Sequence, residues 1–551
     1  VAEPDVVILG GGLAGLCLAR QILLETDRTV LILERAESIP GPRQKVGEST
    51  VQLAGDYLAR VLDLEIHLLH EHFLKYNLRF VWRNPDTSGT SIGDYSQSYI
   101  RPFSNLPSYQ VDRNRLEAEL ARLNAADPRC TIETGVRDLT VELSSVGPHR
   151  VGFTVGAAQC QVRPEWVVDA SGRRRVLARQ LGLDTGIEID HGSTYWWVDG
   201  TIDLDRLGPE TPRERRLRPS RQRLGHSPLW LATNHLMGPG FWFWLIPLRG
   251  RTSLGLVYDP AYVERERVRT AERAAAWIAE RFPLLEEPLH RRPIEEWAGF
   301  RSFSHDVTRV ISREKWALTG EAGRFSDPLY SPGSDLIALH NGAIVKAIQA
   351  RDATELEQRI GLSEPLLRSL FKAYEPSYTQ TYGALGDQES FALKYGWELA
   401  VYFSFYVFPY LNDFFDDRRF VVSFLRLFGR LGPLNRRVHQ RVAELAAWKL
   451  RRSEPAAMGE HFDFMELGWL RDAERAFYQV GITVEQGREV LEQRLLSLTE
   501  MARWIDAWVD ARLAGRAPKA ELGMDWCHDP LVLERLVAGC GSVAMSSGRG
   551  M

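Results

Sequence analysis

The chain has 551 residues, of which 44% are hydrophobic, 25% charged and 10% aromatic. That balance is typical of globular protein and argues against a disordered, fibrous or disulfide-framework chain. Lys and Arg total 68 against 72 Asp and Glu, so no global field favours nucleic acid or an anionic membrane. Cys17, Cys130, Cys160, Cys527 and Cys540 are scattered, odd in number and free of CxxC spacing, which disfavours structural zinc and fits a cytoplasmic protein. The apolar Val6–Leu9 breaks into glycines rather than a signal-peptide cleavage site. The uncharged apolar stretch Leu399–Asn412 contains Pro409 and falls short of the ~20 residues a bilayer span needs. No integral membrane segment and no metal site are expected.

In chain order, Asp5–Leu9 reads as a buried strand, Leu13–Glu25 as a helix, and Thr29–Leu33 as a second strand ending on Glu34 and Arg35. Between strand and helix lies Gly10-Gly11-Gly12-Leu13-Ala14-Gly15, a GxGxxG. Gly10 makes the tight turn, Gly12 lets the backbone approach a pyrophosphate, and Gly15 lets the helix pack on the sheet. The phosphate charge then meets free N–H groups at a helix N-terminus, while Glu34 can accept ribose hydroxyls. The unit predicts dinucleotide binding, without separating FAD from NAD.

Further pieces recur downstream: Lys45-Val46-Gly47-Glu48-Ser49; Gln110-Val111-Asp112-Arg113 before a helix marked by Leu116, Leu120 and Leu123; Val167-Val168-Asp169-Ala170-Ser171-Gly172; and Leu318-Thr319-Gly320-Glu321-Ala322-Gly323 followed by Asp327-Pro328. In this order the set resembles the FAD-dependent monooxygenase and halogenase superfamily, over roughly residues 5–350. Trp242-Phe243-Trp244-Leu245-Ile246-Pro247 is similar to the WxWxIP signature of flavin-dependent halogenases, and Phe325-Ser326-Asp327-Pro328-Leu329-Tyr330-Ser331-Pro332-Gly333 to their FxxPxxSxG signature. Leu74–Trp82 looks like the segment carrying the halogenase lysine, which places that role on Lys75.

The resemblance implies that FAD is held by Gly10, Gly12, Leu13, Ala14, Gly15, Glu34, Arg35, Lys45, Glu48, Ser49, Arg113, Asp169, Gly320, Glu321, Gly323, Asp327, Gly333 and Ser334. It implies a substrate and halide pocket at Trp242, Trp244, Pro247, Tyr330, Ser331 and Pro332. Reduced FAD, O2 and halide would give hypohalous acid, which Lys75 delivers to an electron-rich aromatic, a phenol or pyrrole, free or carrier-tethered. No second GxGxxG occurs, so a separate flavin reductase is expected as a partner. Two departures stand out. Tyr330 replaces the glutamate of tryptophan halogenases, which speaks against free tryptophan. Pro332 removes an N–H from the expected halide loop, a loss on the order of 1–3 kcal/mol. A flavin monooxygenase hydroxylating an aromatic small molecule or protein side chain is the alternative, with a polyprenyl-reductase-type flavoprotein behind it.

Strand-like runs at Ser193–Val198, Phe241–Pro247 and Thr252–Val257, with a helix near Val263–Phe282, suggest an inserted sheet domain. Period-two alternation puts Trp242 and Trp244 on one strand face and Phe241 and Phe243 on the other. Arg213–Arg218 with Arg221 and Arg223 reads as a solvated basic loop, or else as a dock for an acidic carrier protein. From Arg351 onward helix formers dominate, and the aromatic run Tyr395–Phe415 is expected to wall an apolar pocket. The fold expected is α/β: a Rossmann-type FAD-binding domain over 1–185, an inserted mixed β-sheet substrate domain over 186–300, a return to the FAD domain over 301–350, and a helical C-terminal extension over 351–551.

Overall fold

The computed structural model describes residues 3–100, 106–218, 228–457, 461–464 and 467–518. Arg221, Arg223, Cys527 and Cys540 lie outside the described residues. The chain divides into two compact units: one of residues 1–74, 106–189 and 303–371, the other of 75–105, 190–302 and 372–551.

The first unit is built on a five-stranded parallel sheet in the order Trp316–Leu318, Trp166–Asp169, Val6–Leu9, Val30–Leu33, Cys130–Glu133. Its central strands, VVIL, VLIL and WVVD, are buried along their whole length, as continuous apolar runs must be when helices cover both faces. The helices Leu13–Glu25 and Arg113–Ala126 are locked together where Asn124 donates to the Leu16 carbonyl at 3.0 Å. The helix Pro332–Ile348 joins them through Asn341, which donates to the Ala14 carbonyl at 3.2 Å and accepts from Thr319 at 2.6 Å. A three-stranded antiparallel sheet, Arg137–Glu142, Arg150–Val155 and Ala158–Val162, is appended.

The second unit carries an eight-stranded mixed sheet in the order Ile294–Phe300, Gly192–Asp199, Arg251–Tyr258, Phe241–Leu248, Thr233–Gly238, Leu78–Arg83, Tyr95–Tyr99, His461–Phe462. One face, with Trp196, Phe241, Phe243, Leu254 and Leu256, packs on the helix Ala271–Arg281 through Trp277 and Ile278. Phe391 and Tyr395, on the helix Gln388–Tyr402, cover Phe80 on the other face at ring distances of 4.6 and 4.9 Å. The long helices Arg418–Arg451 and Val484–Leu513 are pinned to this layer by buried ion pairs. Lys449 meets Asp387 at 2.6 Å and Glu389 at 3.0 Å, and Arg512 meets Glu389 at 2.9 Å.

The unit boundaries differ from those expected. Residues 75–105 belong with the sheet unit rather than with 1–185, because Leu78–Arg83 pairs in parallel with Thr233–Gly238. The helix Ala353–Lys372 clusters with the first unit up to Phe371, so the helical extension of the sheet unit begins at 372 rather than 351. The helix expected over 263–282 is two pieces, Arg265–Val268 and Ala271–Arg281, divided where Thr270 caps the second by accepting from the Arg273 amide. Much of the aromatic run 395–415 is buried within the helical layer. Phe405 packs on Phe424 and Phe428, and Phe403 on Phe477.

Candidate active site

In the first unit the Gly10–Gly15 turn carries three different steric constraints. Gly10 has φ +121°, and a Cβ there would lie 2.5 Å from the Ala170 carbonyl oxygen. At Gly15 a Cβ would fall 2.1 Å from the Gly10 oxygen, so this glycine lets helix and sheet touch. Gly12 is the opposite case: nothing lies within 4 Å of its Cβ position. The helix it precedes has no side-chain cap and no acid in its first turn, leaving positive N-terminal amides over open space, as an anionic pyrophosphate requires. A cleft of about 400 Å³ opens there, lined by Gly10, Gly12, Glu34, Arg35, Ser171 and Arg173 among others. The Glu34 carboxylate is fixed at its rim, accepting from the Gly11 and Ala36 amides at 2.7 Å each. These features fit an adenosine diphosphate moiety such as that of FAD. Leu13 is buried beneath the turn, and Gly320, φ +59°, approaches Ala14 so closely that a Cβ would lie 2.8 Å from the Ala14 methyl.

The Lys45–Ser49 segment is brought to the head of the Arg113 helix. Lys45 and Arg113 both pair with the buried Glu117, and Arg113 donates to the Val46 carbonyl at 2.7 Å. The Val111 amide donates to the Glu48 carbonyl at 2.6 Å, and Ser49 bridges Gln110. Asp169 fixes the turn that follows its strand. Its fully buried carboxylate accepts from the Ser171 and Leu177 amides at 2.9 and 2.7 Å, and burial raises its pKa. It shapes the turn whose residues Ser171–Arg174 line the cleft. Glu321 sits 3.8 Å from Arg173, and Gly323 closes the short helical turn begun at Gly320.

The expected halide loop proves to be the start of a helix. Asp327 accepts from the Leu329 amide at 2.9 Å, and the Ser331 amide donates to the Pro328 carbonyl at 2.8 Å. Tyr330 and Ser331 then hold φ +69° and +64° in succession, a left-handed conformation costly for side-chain-bearing residues and concentrated at functional sites. Pro332 occupies the first helical position, where its missing N–H is one of the groups a helix leaves unpaired anyway. Gly333 and Ser334 complete a first turn with no side-chain cap, which also carries the buried Asp335, whose carboxylate accepts from the Ala54 amide at 2.8 Å.

In the second unit Lys75 is only 2% exposed, against the solvated strand position usual for lysine. It immediately precedes Tyr76, whose amide donates to the Leu231 carbonyl at 3.1 Å. Ladder register sets Phe80 opposite His235, and His235 opposite Trp244. Trp242 and Trp244 share that face with ring centroids 5.6 Å apart, as the alternation predicted. Each indole N–H is tied down, Trp242 to the Tyr382 hydroxyl at 2.8 Å and Trp244 to the Ser253 hydroxyl at 3.2 Å. Gly255 leaves room for the Trp244 ring, which comes within 2.2 Å of where a Cβ would be. Pro247 pairs with Thr252 near the hairpin end. Burial, reinforced by the Lys75 charge, pushes the His235 imidazole down to about 3, so it is neutral near pH 7. His235 and Tyr382 were invisible to sequence reading, since only ladder register and a distant helical turn bring them to this face. Among the described residues, no helix is long and apolar enough to cross a membrane.

No protein-family model matches the chain. It is 23% identical over 442 residues to the flavin-dependent halogenase chlA of Dictyostelium discoideum, covering 74% of this chain and 71% of that one. It is 25% identical over 382 residues to the 1H-pyrrole-2-carbonyl-[peptidyl-carrier protein] chlorinase of Pseudomonas fluorescens, covering 64% and 77%. The crystal structure of halogenase PltM in complex with phloroglucinol and FAD shares the fold, with a TM-score of 0.58 at 17% identity over 90% of this chain and 96% of that one. The chain is similar in sequence and in fold to the flavin-dependent halogenases.

Proposed function

We propose that the protein halogenates an electron-rich aromatic, a phenol or pyrrole that is free or carrier-tethered, in the cytoplasm and with a separate flavin reductase as partner. The balanced reaction is ArH + X⁻ + O2 + FADH2 + H⁺ giving ArX + FAD + 2 H2O. The observation that carries this reading is Lys75, a buried lysine close enough to the neutral His235 for its charge to depress that imidazole. When bound, FAD supplies the two electrons that activate O2. The Gly10–Gly15 turn, Glu34 and the Lys45–Arg113 corner hold its nucleotide, and the Gly333 and Ser334 amides favour the halide.

Lys75 donates an N–H to the oxygen of hypohalous acid, or carries the halogen on its nitrogen, and so aims an electrophile that would otherwise react at random. Its burial strengthens that hydrogen bond by excluding water. His235, being uncharged, does not repel the ammonium. Trp242 and Trp244, with their N–H groups engaged, present ring faces against which a planar substrate can lie. The carrier-protein chlorinase and the phloroglucinol complex support an aromatic substrate. The test is Lys75→Ala against Lys75→Arg. Both are expected to bind FAD and consume O2 as the parent does, while Lys75→Ala loses halogenated product by 100-fold or more, about 2.7 kcal/mol or above. A Lys75→Ala variant that halogenates at the parent rate removes the lysine from the mechanism.

A further inference from the structure

Behind the Gly320–Gly323 turn, the first unit buries a set of polar atoms for which the fold supplies no partner. Arg324 is 1% exposed. Its Nε donates to Asp306 at 2.7 Å and its Nη2 to the Val307 carbonyl at 3.1 Å, but Nη1 has no acceptor. The Ser326 hydroxyl and both ring nitrogens of His340 are likewise buried and unpaired. Phe325 pairs as an antiparallel bridge with His305, and alternate residues of an extended segment project to one side. Arg324 and Ser326 therefore share a side. His340, on the helix Pro332–Ile348, lies within the electrostatic reach of both Arg324 and Asp306.

Leaving these atoms dry is costly, and buried polar groups are ordinarily satisfied by protein, water or an ion. The set is rich in donors: two N–H on Nη1, one on the imidazole and one on the serine, against one imidazole and one hydroxyl acceptor. A ligand that only accepts fits that imbalance better than water, which must donate as well. We infer that Arg324, Ser326 and His340 form a buried site for a monatomic halide, separate from the Gly333–Ser334 amides. Because Asp306 already balances Arg324, the incoming anion is neutralised when His340 takes up a proton. Burial, reinforced by the Arg324 charge and only partly offset by Asp306, pushes the imidazole of the empty site down to about 3, so near neutral pH it takes up a proton only together with the anion, and binding tightens as pH falls. The site clamps the 324–326 segment to the helix that begins at Pro332, and it does not depend on the halogenation reading.

The test is anomalous diffraction from crystals of the whole chain grown in bromide, paired with thermal unfolding in bromide and in gluconate at matched ionic strength. The expected result is a bromide peak in hydrogen-bonding range of Arg324 Nη1 and a bromide-specific rise in Tm that is larger at pH 6 than at pH 8. Ser326→Ala keeps the Arg324–Asp306 pair intact and is expected to weaken bromide binding about tenfold, the loss of one hydrogen bond to a charge. Water density without anomalous signal beside Arg324 overturns the inference, as does a Tm rise of equal size in gluconate. A bromide peak only at Gly333–Ser334 overturns it too, while leaving the proposed reaction standing.

Discussion

Substituting Gly12 and Gly15 separately distinguishes the cofactor cradle from the packing that builds it. A Cβ at Gly12 meets nothing within 4 Å, and the residue has φ −84°, ψ −176°, open to any side chain. Gly12→Ala should therefore change the stability of the FAD-free protein by no more than about 0.5 kcal/mol. The added methyl, however, occupies the space above the helix N-terminus where a pyrophosphate must approach. Losing one amide–phosphate hydrogen bond costs roughly 1.5–3 kcal/mol, which weakens FAD binding by about 10- to 150-fold. Gly15→Ala reverses the pattern, because its Cβ would sit 2.1 Å from the Gly10 oxygen. Overpacking of that kind costs about 1–3 kcal/mol of folding stability, whether or not FAD is present. Flavin fluorescence titration and thermal unfolding of both variants read the two effects independently. Parental FAD affinity in Gly12→Ala, or destabilisation of it as large as in Gly15→Ala, would refute the placement of the phosphates over this turn.

Two further outcomes follow from strain and burial. Ser331→Gly removes a left-handed serine with φ +64° and should stabilise the protein by up to about 1 kcal/mol, seen as a higher urea midpoint; a lower midpoint would show that the serine side chain matters more than the backbone. Burial by itself would raise the pKa of Glu398, but the Lys394 ammonium at 2.8 Å, aided by His439, outweighs it and holds the carboxyl at about 2 against an ordinary 4.5. A depressed carboxyl contributes stability above its unfolded pKa and loses it as pH falls through the folded one, so roughly 3 kcal/mol should disappear between about pH 4.5 and pH 2. Glu398→Gln should flatten that part of the stability–pH curve; an unchanged acid limb would contradict the assignment.

Local patterns made the nucleotide unit legible. VVIL, the glycine turn and VLIL are contiguous, and each glycine's role follows from its offset. The register of the tryptophan strand was legible for the same reason, since period two is a property of one segment. The parallel pairing of Leu78–Arg83 with Thr233–Gly238 joins segments far apart in sequence, and no local signal announces it. Residues 75–105 were therefore assigned to the wrong unit, and His235 went unseen. A carboxylate after a buried strand suits a ligand contact and a turn cap equally well, and the amides that Asp169 accepts from, those of Ser171 and Leu177, become visible only in the fold. Pro332-Gly333 reads as a loop by composition, yet proline is also favoured at the first position of a helix, so composition alone does not show that a helix begins there.

The most direct measurement is mass spectrometry of products formed with reduced FAD, O2 and bromide on a panel of phenols, pyrroles and indoles, including carrier-tethered forms. A product bearing bromine's isotope doublet, absent without bromide and absent with Lys75→Ala, is the predicted result. Oxygen addition with no bromine, unchanged when bromide is withheld, would contradict halogenation and make the protein a hydroxylating monooxygenase.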